Sequence, residues 1–336
     1  MFRVQVDQAK PSVSVIIPVY KVAPYIEKCA RSIFEQTLDN VEILFIDDCS
    51  PDDSVSIIDR ILNDYPNRKN QTRVIHMLTN SGSASVRRRG ILEAKGEYII
   101  HCDGDDWVDL TLYQQMYEKA IIDSSDIVIC DFIYETKKGP ISVVQPEITG
   151  PSKLALENWY RHFFHMSCAN KLVRRSLLIK HNILPWPQLN MWEDNGLMIR
   201  VFYQASKVSQ IHNSFYHYNR MNNVSMSASY GQEQVNQMIM IAENIDHFFS
   251  DKQDRERFEK TILALKYFAK INLITDNLKG FVEFHRIFPG AEKIASQLDK
   301  NAFSFRGRIR WWMVRSRLTL LFILLYKGNE MIRRCI

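Results

Sequence analysis

Short apolar runs alternate with longer amphipathic segments over the first 135 residues of the chain. Residues 13–19 form an almost continuous apolar run, which predicts a strand buried on both faces. From about Pro24 the apolar residues recur at helical spacing and share one helix face: Ile26, Cys29, Ala30, Ile33 and Phe34. The same alternation predicts further strands over 41–46, 74–78, 98–100 and 127–130, with helices over about 51–62, 83–94 and from about 110.

Repeated β-α-β units predict an α/β fold, in which a mostly parallel sheet carries helices on both faces. Ser50 is predicted to cap the second helix, with Pro51 at its first position. Later elements are predicted as a surface hairpin or loop over 136–150 and helices over 173–179, 235–249 and 257–274. We therefore divide the chain into a first half, 1–135, a second half rich in aromatic residues, 136–230, and a helical region, 231–336.

Polar residues follow four successive predicted strands at their carboxyl ends. They are Pro18 and Tyr20 after the first strand, Asp48 after the second, Gly82 after the third and Asp103 to Asp106 after the fourth. Ligands of open α/β sheets bind outside the carboxyl ends of the strands, so we expect these residues to converge on one edge.

The acidic cluster Asp103, Asp105 and Asp106 is costly to assemble because neighbouring carboxylates repel and are expensive to desolvate. Oxygen ligands of this kind suit Mg²⁺ or Mn²⁺, which also bind phosphate oxygens. The cluster therefore indicates a site for a divalent cation and a diphosphate. The alternative is an acidic turn before the next helix, since Asp and Gly are common turn residues.

Composition and charge indicate the cellular compartment in which the chain is expected. The net charge is +5, and the six cysteines show no regular spacing, which favours a reducing, cytoplasmic environment. The first seven residues contain no apolar core of a secretory signal, and the longest apolar run, 318–326, is too short to span a bilayer. Arginine interleaves with tryptophan and aliphatic residues over 306–317, next to the apolar run, which makes 306–336 typical of a segment lying on an anionic membrane surface. Packing against the catalytic domain and a homo-oligomer interface are the alternatives, and nothing else in the sequence indicates nucleic-acid binding.

The chain resembles family 2 glycosyltransferases of the bacterial polysaccharide-biosynthesis type, which have the GT-A fold. The matching stretches are residues 13–20, 32–36, 46–50, 90–98 and the Asp-Gly-Asp-Asp cluster. They cover about residues 11–110, with a weaker match to about 230. The resemblance implies that 1–135 binds a nucleotide-sugar, that 136–230 binds the acceptor, and that 231–336 is a helical extension.

For the donor, the resemblance implies that Pro18 and Tyr20 line the nucleotide base and that Asp48 accepts a hydrogen bond from uracil, with a helix cap as its alternative role. Gly82 and Arg87 would lie near the base and phosphates. The family often has Asn after this arginine, whereas Arg88 and Arg89 follow here, and only one of three adjacent helical residues can point at the site. Asp103 would contact ribose or metal, Asp105 would bind Mn²⁺ or Mg²⁺ directly, and Asp106 would support them.

For the acceptor, the resemblance implies that Asp194 is the general base and that Glu193 orients the acceptor or substitutes for the base; both could instead be first-turn acids that complement a helix dipole. Lys171 would shape the donor-sugar pocket. Trp192 and Trp186 are candidates for stacking on acceptor sugars or for the core. His217 and Arg220 are candidates for phosphate contacts or for an aromatic cluster at a strand end.

The implied activity is inverting transfer of a hexosyl or N-acetylhexosaminyl group. The donor would be a nucleotide-diphosphate sugar, most simply UDP-linked, and the acceptor a glycan or lipid-linked hydroxyl in capsule, O-antigen or exopolysaccharide synthesis at the inner face of the plasma membrane. One alternative is a sugar nucleotidyltransferase, which should show a glycine-rich basic loop after the first strand; residues 18–24 lack it. The other is a catalytically inactive scaffold at the membrane.

Overall fold

The computed structural model describes residues 10–222, 231–274, 278–299, 302–303 and 305–316. The chain divides into two compact units. The first comprises Met1–Ser152 with Met166–Asn223, and the second Lys153–His165 with Val224–Ile336. The segment 166–222 thus belongs to the same unit as the first half of the chain, because its strands complete the same sheet.

A mixed ten-stranded sheet forms the centre of the first unit in the part of the chain that the structure describes. Its strands are β1 Val13–Val19, β2 Val41–Asp47, β3 Thr72–His76, β4 Tyr98–His101, β5 Trp107–Val108, β6 Ile127–Thr136, β7 Gly139–Val143, β8 Gly150–Pro151, β9 Lys171–Arg174 and β10 Lys207–Asn219. The order is β3-β2-β1-β4-β9-β6-β10-β5, with β7 beside β6 and β8 beside β10.

The helices follow the predicted alternation. Those of the first unit are α1 Ile26–Phe34, α2 Ser54–Leu62, α3 Gly82–Glu93, α4 Leu112–Ile122, α6 Arg175–Lys180 and α7 Glu193–Gln204, and α5 Ser152–Glu157 begins where the units join. Those of the second unit are α8 Gln232–Phe249, α9 Arg255–Lys270, α10 Leu278–Arg286 and α11 Phe305–Arg315. The predicted apolar face of α1 is buried at all five positions.

The parallel arrangement predicted for the first four strands is confirmed, since β3, β2, β1 and β4 pair in parallel. A strand that the sequence did not predict, β9, lies antiparallel between β4 and β6. The prediction of a helix over 173–179 is wrong at its start, because Lys171–Arg174 form a strand that pairs with β6 on one side and β4 on the other. Strand pairing here overrides local helix propensity.

Several element ends also differ from the predictions. Ser50 does not cap α2, which begins at Ser54; the Asp52 carboxylate instead accepts the Ser54 N–H at 3.2 Å and the Ala23 N–H at 3.0 Å. β3 ends at His76, and Leu78 is 99% exposed because it lies beyond the sheet. The helix predicted from about 110 begins at Leu112, after the short β5. The helix predicted over 257–274 ends at Lys270 and continues as a 3₁₀ turn to Leu273. The hairpin predicted within 136–150 is confirmed by the pairing of β6 and β7.

Aromatic side chains form the core of the second unit. Trp159 and Phe163 pack on Phe268, and Phe303 stacks on Trp311 of α11. The Trp311 indole N–H donates to the Ala295 carbonyl at 2.7 Å. Among the residues that the structure describes, no helix combines the length and the apolar character needed to cross a membrane. The apolar run 318–326 and most of the basic segment 306–336 lie outside the described residues.

Candidate active site

Asp48, at the end of β2, holds the start of α3. Its two carboxylate oxygens accept the backbone N–H groups of Ser81 at 2.7 Å and Gly82 at 2.8 Å. Asp48 therefore does cap a helix, α3, which was the alternative to its role in binding the base. Each carboxylate oxygen can accept more than one hydrogen bond, so this cap leaves capacity for a nucleotide base.

Gly82 allows α3 to begin close to a neighbouring loop. Its φ is +80°, and a Cβ there would lie 2.3 to 2.5 Å from atoms of the Asn190 side chain. Asn190 in turn accepts the Ala84 N–H at 3.1 Å. The structural role of Asn190 was not predicted, because its only signal in the sequence is its position just before Glu193 and Asp194.

Arg87 is the one of the three adjacent arginines that points inward. Its Nη2 donates to Asp103 and its Nε to Glu193 at 3.3 Å. Arg89 instead pairs with Glu93 near the surface. Burial alone lowers the pKa of the Arg87 guanidinium, but Asp103 and Glu193 hold it well above its ordinary value. Arg87 therefore stays charged and joins the acidic cluster after β4 to the acids that begin α7.

The three carboxylates after β4 have different surroundings. Asp106 is buried and accepts the Tyr216 hydroxyl and the Asn219 N–H at 2.7 Å. Burial, with Asp103 and Asp105 nearby, raises the pKa of Asp106 well above its usual range. Asp106 is thus held by the fold, in a supporting position, while Asp103 and Asp105 are only partly buried.

Asp103 and Asp105 are suited to hold a divalent cation. Burial and the charge of Asp103 raise the pKa of Asp105, although Asn222 donates to Asp105 at 2.8 Å. A cation between Asp103 and Asp105 would relieve the repulsion between their carboxylates. Mg²⁺ is commonly held by one or two carboxylates together with substrate phosphates. In the described ranges, no group of three or more His, Cys, Asp or Glu could hold a metal.

Glu193 and Asp194 occupy the first turn of α7, as predicted for a pair of acids at a helix start. Trp192 precedes them in the left-handed region with a φ of 66°. Burial raises the pKa of Glu193 to about 7, against the opposing effect of Arg87. Burial also raises the pKa of Asp194, opposed first by the Asn195 N–H that donates to it at 2.7 Å. Asp194 is the more exposed of the two, which favours it for contact with a substrate.

Of the other residues that the sequence predicted for the site, some are exposed at the edge of the sheet and some are buried in the interior. Tyr20 is 40% exposed just past β1, and Pro18 lies within β1 opposite Ile46. Trp192 is half-buried. The Arg200 guanidinium carbon lies 3.8 Å from the centroid of the Trp186 ring. Lys171 is fully buried. Its amine donates to the Ser167 carbonyl at 2.8 Å and to Asn170 Oδ1 at 2.7 Å, so it points into the protein.

His217 and Arg220 belong to an aromatic cluster at the end of β10. His217 stacks on Trp107 with ring centroids 5.2 Å apart and contacts Glu135 at 2.7 Å and Asp109 at 3.0 Å. The Arg220 guanidinium lies over the Tyr134 ring at 4.1 Å. These contacts support the aromatic-cluster alternative over direct phosphate binding.

Comparison with known proteins assigns the chain to a family. The family model for glycosyl transferase family 2 matches residues 14–181. The chain is 34% identical over 221 residues to the uncharacterized glycosyltransferase EpsJ of Bacillus subtilis, covering 62% of this chain and 61% of that protein. It is 30% identical over 259 residues to the putative glycosyltransferase EpsH of the same organism, covering 75% of this chain and 73% of that protein.

A solved structure shows the same fold. Residues 1–349 of S. aureus TarS, crystallised with UDP-GlcNAc, match with a TM-score of 0.69 at 17% identity, covering 95% of this chain and 92% of that chain. The GT-A fold class predicted from the sequence is confirmed by this similarity. By its family-model match and its identity to these relatives, the chain belongs to glycosyl transferase family 2.

Proposed function

We propose that this protein transfers a sugar from a UDP-linked donor to a hydroxyl acceptor, with inversion at the anomeric carbon. The observation that carries the proposal is the Arg87 bridge, which contacts both Asp103 after β4 and Glu193 at the start of α7. Such a bridge joins an acid that would lie beside the donor phosphates, Asp103, to a pair of acids with raised pKa values at the start of α7. Paired groups with perturbed pKa values are typical of catalytic sites.

The donor would lie at the carboxyl ends of β1, β2 and β4. Tyr20 and Asp48 would contact the nucleotide base, and Asp103 the ribose or metal. The solved TarS complex contains UDP-GlcNAc, which supports a UDP-linked donor for a chain of the same fold. Asp103 and Asp105 would hold Mn²⁺ or Mg²⁺, and the cation would supply positive charge to the departing diphosphate.

The acceptor hydroxyl would lose its proton to the Asp194 carboxylate. Its oxygen then forms the new bond to the anomeric carbon, and the bond from that carbon to the phosphate oxygen breaks, leaving its electron pair on the diphosphate. Glu193, held by Arg87, would orient Asp194 or the acceptor. One base and direct displacement give inversion, and the acceptor would be a glycan or a lipid-linked sugar in bacterial polysaccharide synthesis.

Removing the proposed metal ligand tests the donor site. Asp105→Ala should weaken UDP binding in the presence of Mn²⁺ by at least about 100-fold, since each lost charge-assisted contact costs about 1.5–3 kcal/mol and the cation is lost with it. Titration calorimetry with and without EDTA measures this. Asp109→Ala is the matched control, because Asp109 lies four residues further on, is exposed, and places its carboxylate 3.0 Å from His217. Equal Mn²⁺-dependent affinity in Asp105→Ala and the control would remove Asp105 from the site.

We also propose that the carboxyl-terminal region docks on an anionic membrane. In α11 the side chains of Ile309 and Trp312 are 47% and 56% exposed and lie one turn apart, beside the exposed Arg308. An apolar and aromatic pair flanked by cationic side chains is suited to a lipid interface. The neighbouring Trp311 is engaged with Ala295 and Phe303, so it serves the fold instead.

Replacing the exposed pair tests this docking. The double variant Ile309→Ser with Trp312→Ser should bind vesicles containing phosphatidylglycerol at least about tenfold more weakly in co-sedimentation, because each apolar side chain contributes about 1.5–3 kcal/mol when buried. Met240→Ser, which changes a 48% exposed side chain on α8 of the same unit, should bind like the wild type. Unchanged vesicle binding of the double variant, with a change of oligomeric state in light scattering, would assign the pair to a homo-oligomer interface.

A further inference from the structure

Each of the two acids proposed to hold the cation has one carboxylate oxygen engaged by a donor of the protein itself. The side-chain amide of Asn222, which follows β10, donates from Nδ2 to Asp105 Oδ2 at 2.8 Å. Arg87 on α3 donates from Nη2 to Asp103 Oδ1. Hydrogen bonds of this kind fix the orientation of a metal-binding carboxylate. A cation at this site would therefore meet mainly the other oxygen of each acid, Oδ2 of Asp103 and Oδ1 of Asp105.

The turn that carries the two acids is held in place by the end of β10. Asp106, in the same turn, accepts the Asn219 N–H at 2.7 Å and the Tyr216 hydroxyl. The Tyr216 oxygen in turn accepts the Asp103 N–H at 3.2 Å. At Gly104 a Cβ would lie 2.8 Å from a carbonyl oxygen of β1, so the turn packs closely on that strand. Because the backbone of the turn is fixed, a cation would have to accept the carboxylate orientations that their donors set.

A buried donor beside these acids indicates where a ligand oxygen would bind. Nη1 of Arg87 is buried and has no hydrogen-bond partner among the residues that the structure describes. Buried polar groups are nearly always hydrogen-bonded, so this N–H group indicates an acceptor from outside the chain. Guanidinium groups bind phosphate oxygens well, which fits a nucleoside diphosphate beside Asp103. The remaining ligands of the cation would then come from the diphosphate and from water.

The number of carboxylate oxygens that a site offers affects which divalent cation it prefers. Mg²⁺ requires near-octahedral geometry and is held by one or two carboxylates together with phosphates and water. Mn²⁺ is also found in octahedral oxygen sites. Ca²⁺ takes about 6–8 oxygen ligands and can bind a carboxylate through both oxygens. Two carboxylates that each offer mainly one oxygen therefore suit the smaller cations and give Ca²⁺ few protein ligands.

We propose that Asn222 makes the site selective for Mn²⁺ and Mg²⁺ over Ca²⁺, because its amide engages one oxygen of Asp105 and presents the other to the cation. This inference rests on the proposed function, in which Asp103 and Asp105 hold the cation of the donor complex. Asn222 is a positioning residue, since it acts on the cation through Asp105. The two residues are 117 positions apart in the chain, so no local pattern in the sequence indicates this role.

Cation selectivity of the full chain in the presence of UDP tests the proposal. Electron paramagnetic resonance measures bound Mn²⁺, and competition with Mn²⁺ measures the affinity for Ca²⁺. In Asn222→Ala the affinity for Mn²⁺ should fall by about tenfold or more, the usual scale for losing a hydrogen bond to a metal ligand. The affinity for Ca²⁺ should stay the same or rise, because both oxygens of Asp105 become available. The preference for Mn²⁺ over Ca²⁺ should thus fall by at least about tenfold.

Asn222→Leu should give the same result, because it keeps nearly the size of the side chain and removes the N–H donor. It serves if the Asn222→Ala protein does not fold. An unchanged preference for Mn²⁺ in the folded variants would overturn the proposal. Loss of both affinities by the same factor would also overturn it, because Asn222 would then be a direct ligand or a residue needed only for the fold.

Met221→Ala is the matched control. Met221 precedes Asn222, its side chain is 40% exposed, and its hydrogen bond to Asn219 comes from its backbone N–H. This variant should bind both cations like the wild type.

Asp105→Ala separates this inference from the proposed function. If the wild type takes up no Mn²⁺ with UDP, or if Asp105→Ala takes up as much as the wild type, the proposed cation site itself is wrong. If Asp105 is required for Mn²⁺ uptake and the preference is unmoved in the Asn222 variants, the site stands and only the selectivity assigned to Asn222 is wrong.

Discussion

Asp194→Asn is expected to lower kcat by at least about 100-fold, the usual contribution of a general base. The amide cannot take the proton from the acceptor hydroxyl, so turnover is lost. Because the amide has nearly the same shape as the carboxylate, the affinity for a UDP-sugar should change little. Steady-state turnover together with titration calorimetry separates the two effects.

Glu193→Gln distinguishes the two acids of α7. Glu193 is the more buried of the pair and contacts Arg87, so its loss should impair turnover less than that of Asp194. Turnover of Asp194→Asn within a few-fold of the wild type would exclude Asp194 as the base. A larger loss in Glu193→Gln would transfer that role to Glu193.

Arg87→Met is expected to destabilise the protein by about 3 kcal/mol at pH 8, the scale for removing one partner of a buried ion pair. The substitution leaves the carboxylates of Asp103 and Glu193 without their cation. Urea unfolding measures the loss. Arg89→Met is the matched control on the same helix, because Arg89 is half-exposed and pairs with Glu93, and exposed pairs contribute about 0–1 kcal/mol.

The Arg87→Met cost should depend on pH. The pKa of Glu193 is already raised to about 7 by burial, and it rises further when Arg87 no longer opposes this. Below pH 7 Glu193 therefore binds a proton and its unpaired charge disappears, so the difference from the wild type should shrink between pH 8 and pH 6. A difference no larger than that of Arg89→Met at pH 8 would show that the bridge does not stabilise the fold.

Much of the first half of the fold could be predicted because β1, β2 and β4 are buried on both faces. Continuous apolar runs such as 13–19 leave few alternatives, and the acids that follow them identify the binding edge. β9 could not be predicted, since residues 171–174 form a strand only through their pairing with β4 and β6. For the same reason the burial of Lys171 was not foreseen, and its amine was expected at a pocket.

The residues of the candidate site could be named from the sequence, but most of the contacts between them could not. Three consecutive arginines are equivalent in the sequence, and only the orientation of α3, which packs on β1 and β2, directs Arg87 to Asp103. The cap that Asp48 provides for α3 depends on a contact between residues 34 apart, which no local pattern reveals. The aromatic cluster, one of the two alternatives for His217 and Arg220, forms because Trp107 and Tyr134 lie beside them on neighbouring strands.

We propose that the edge formed by Asp48, Asp103 and Asp105 binds a UDP-sugar with a divalent cation. Calorimetric titration of the full chain with UDP and with GDP, in Mn²⁺ and in EDTA, tests this most directly. UDP should bind in Mn²⁺, EDTA should abolish this binding, and GDP should bind at least about tenfold more weakly, a difference of about 1.4 kcal/mol. Absence of any UDP binding in Mn²⁺ would contradict it and would favour a scaffold without donor chemistry.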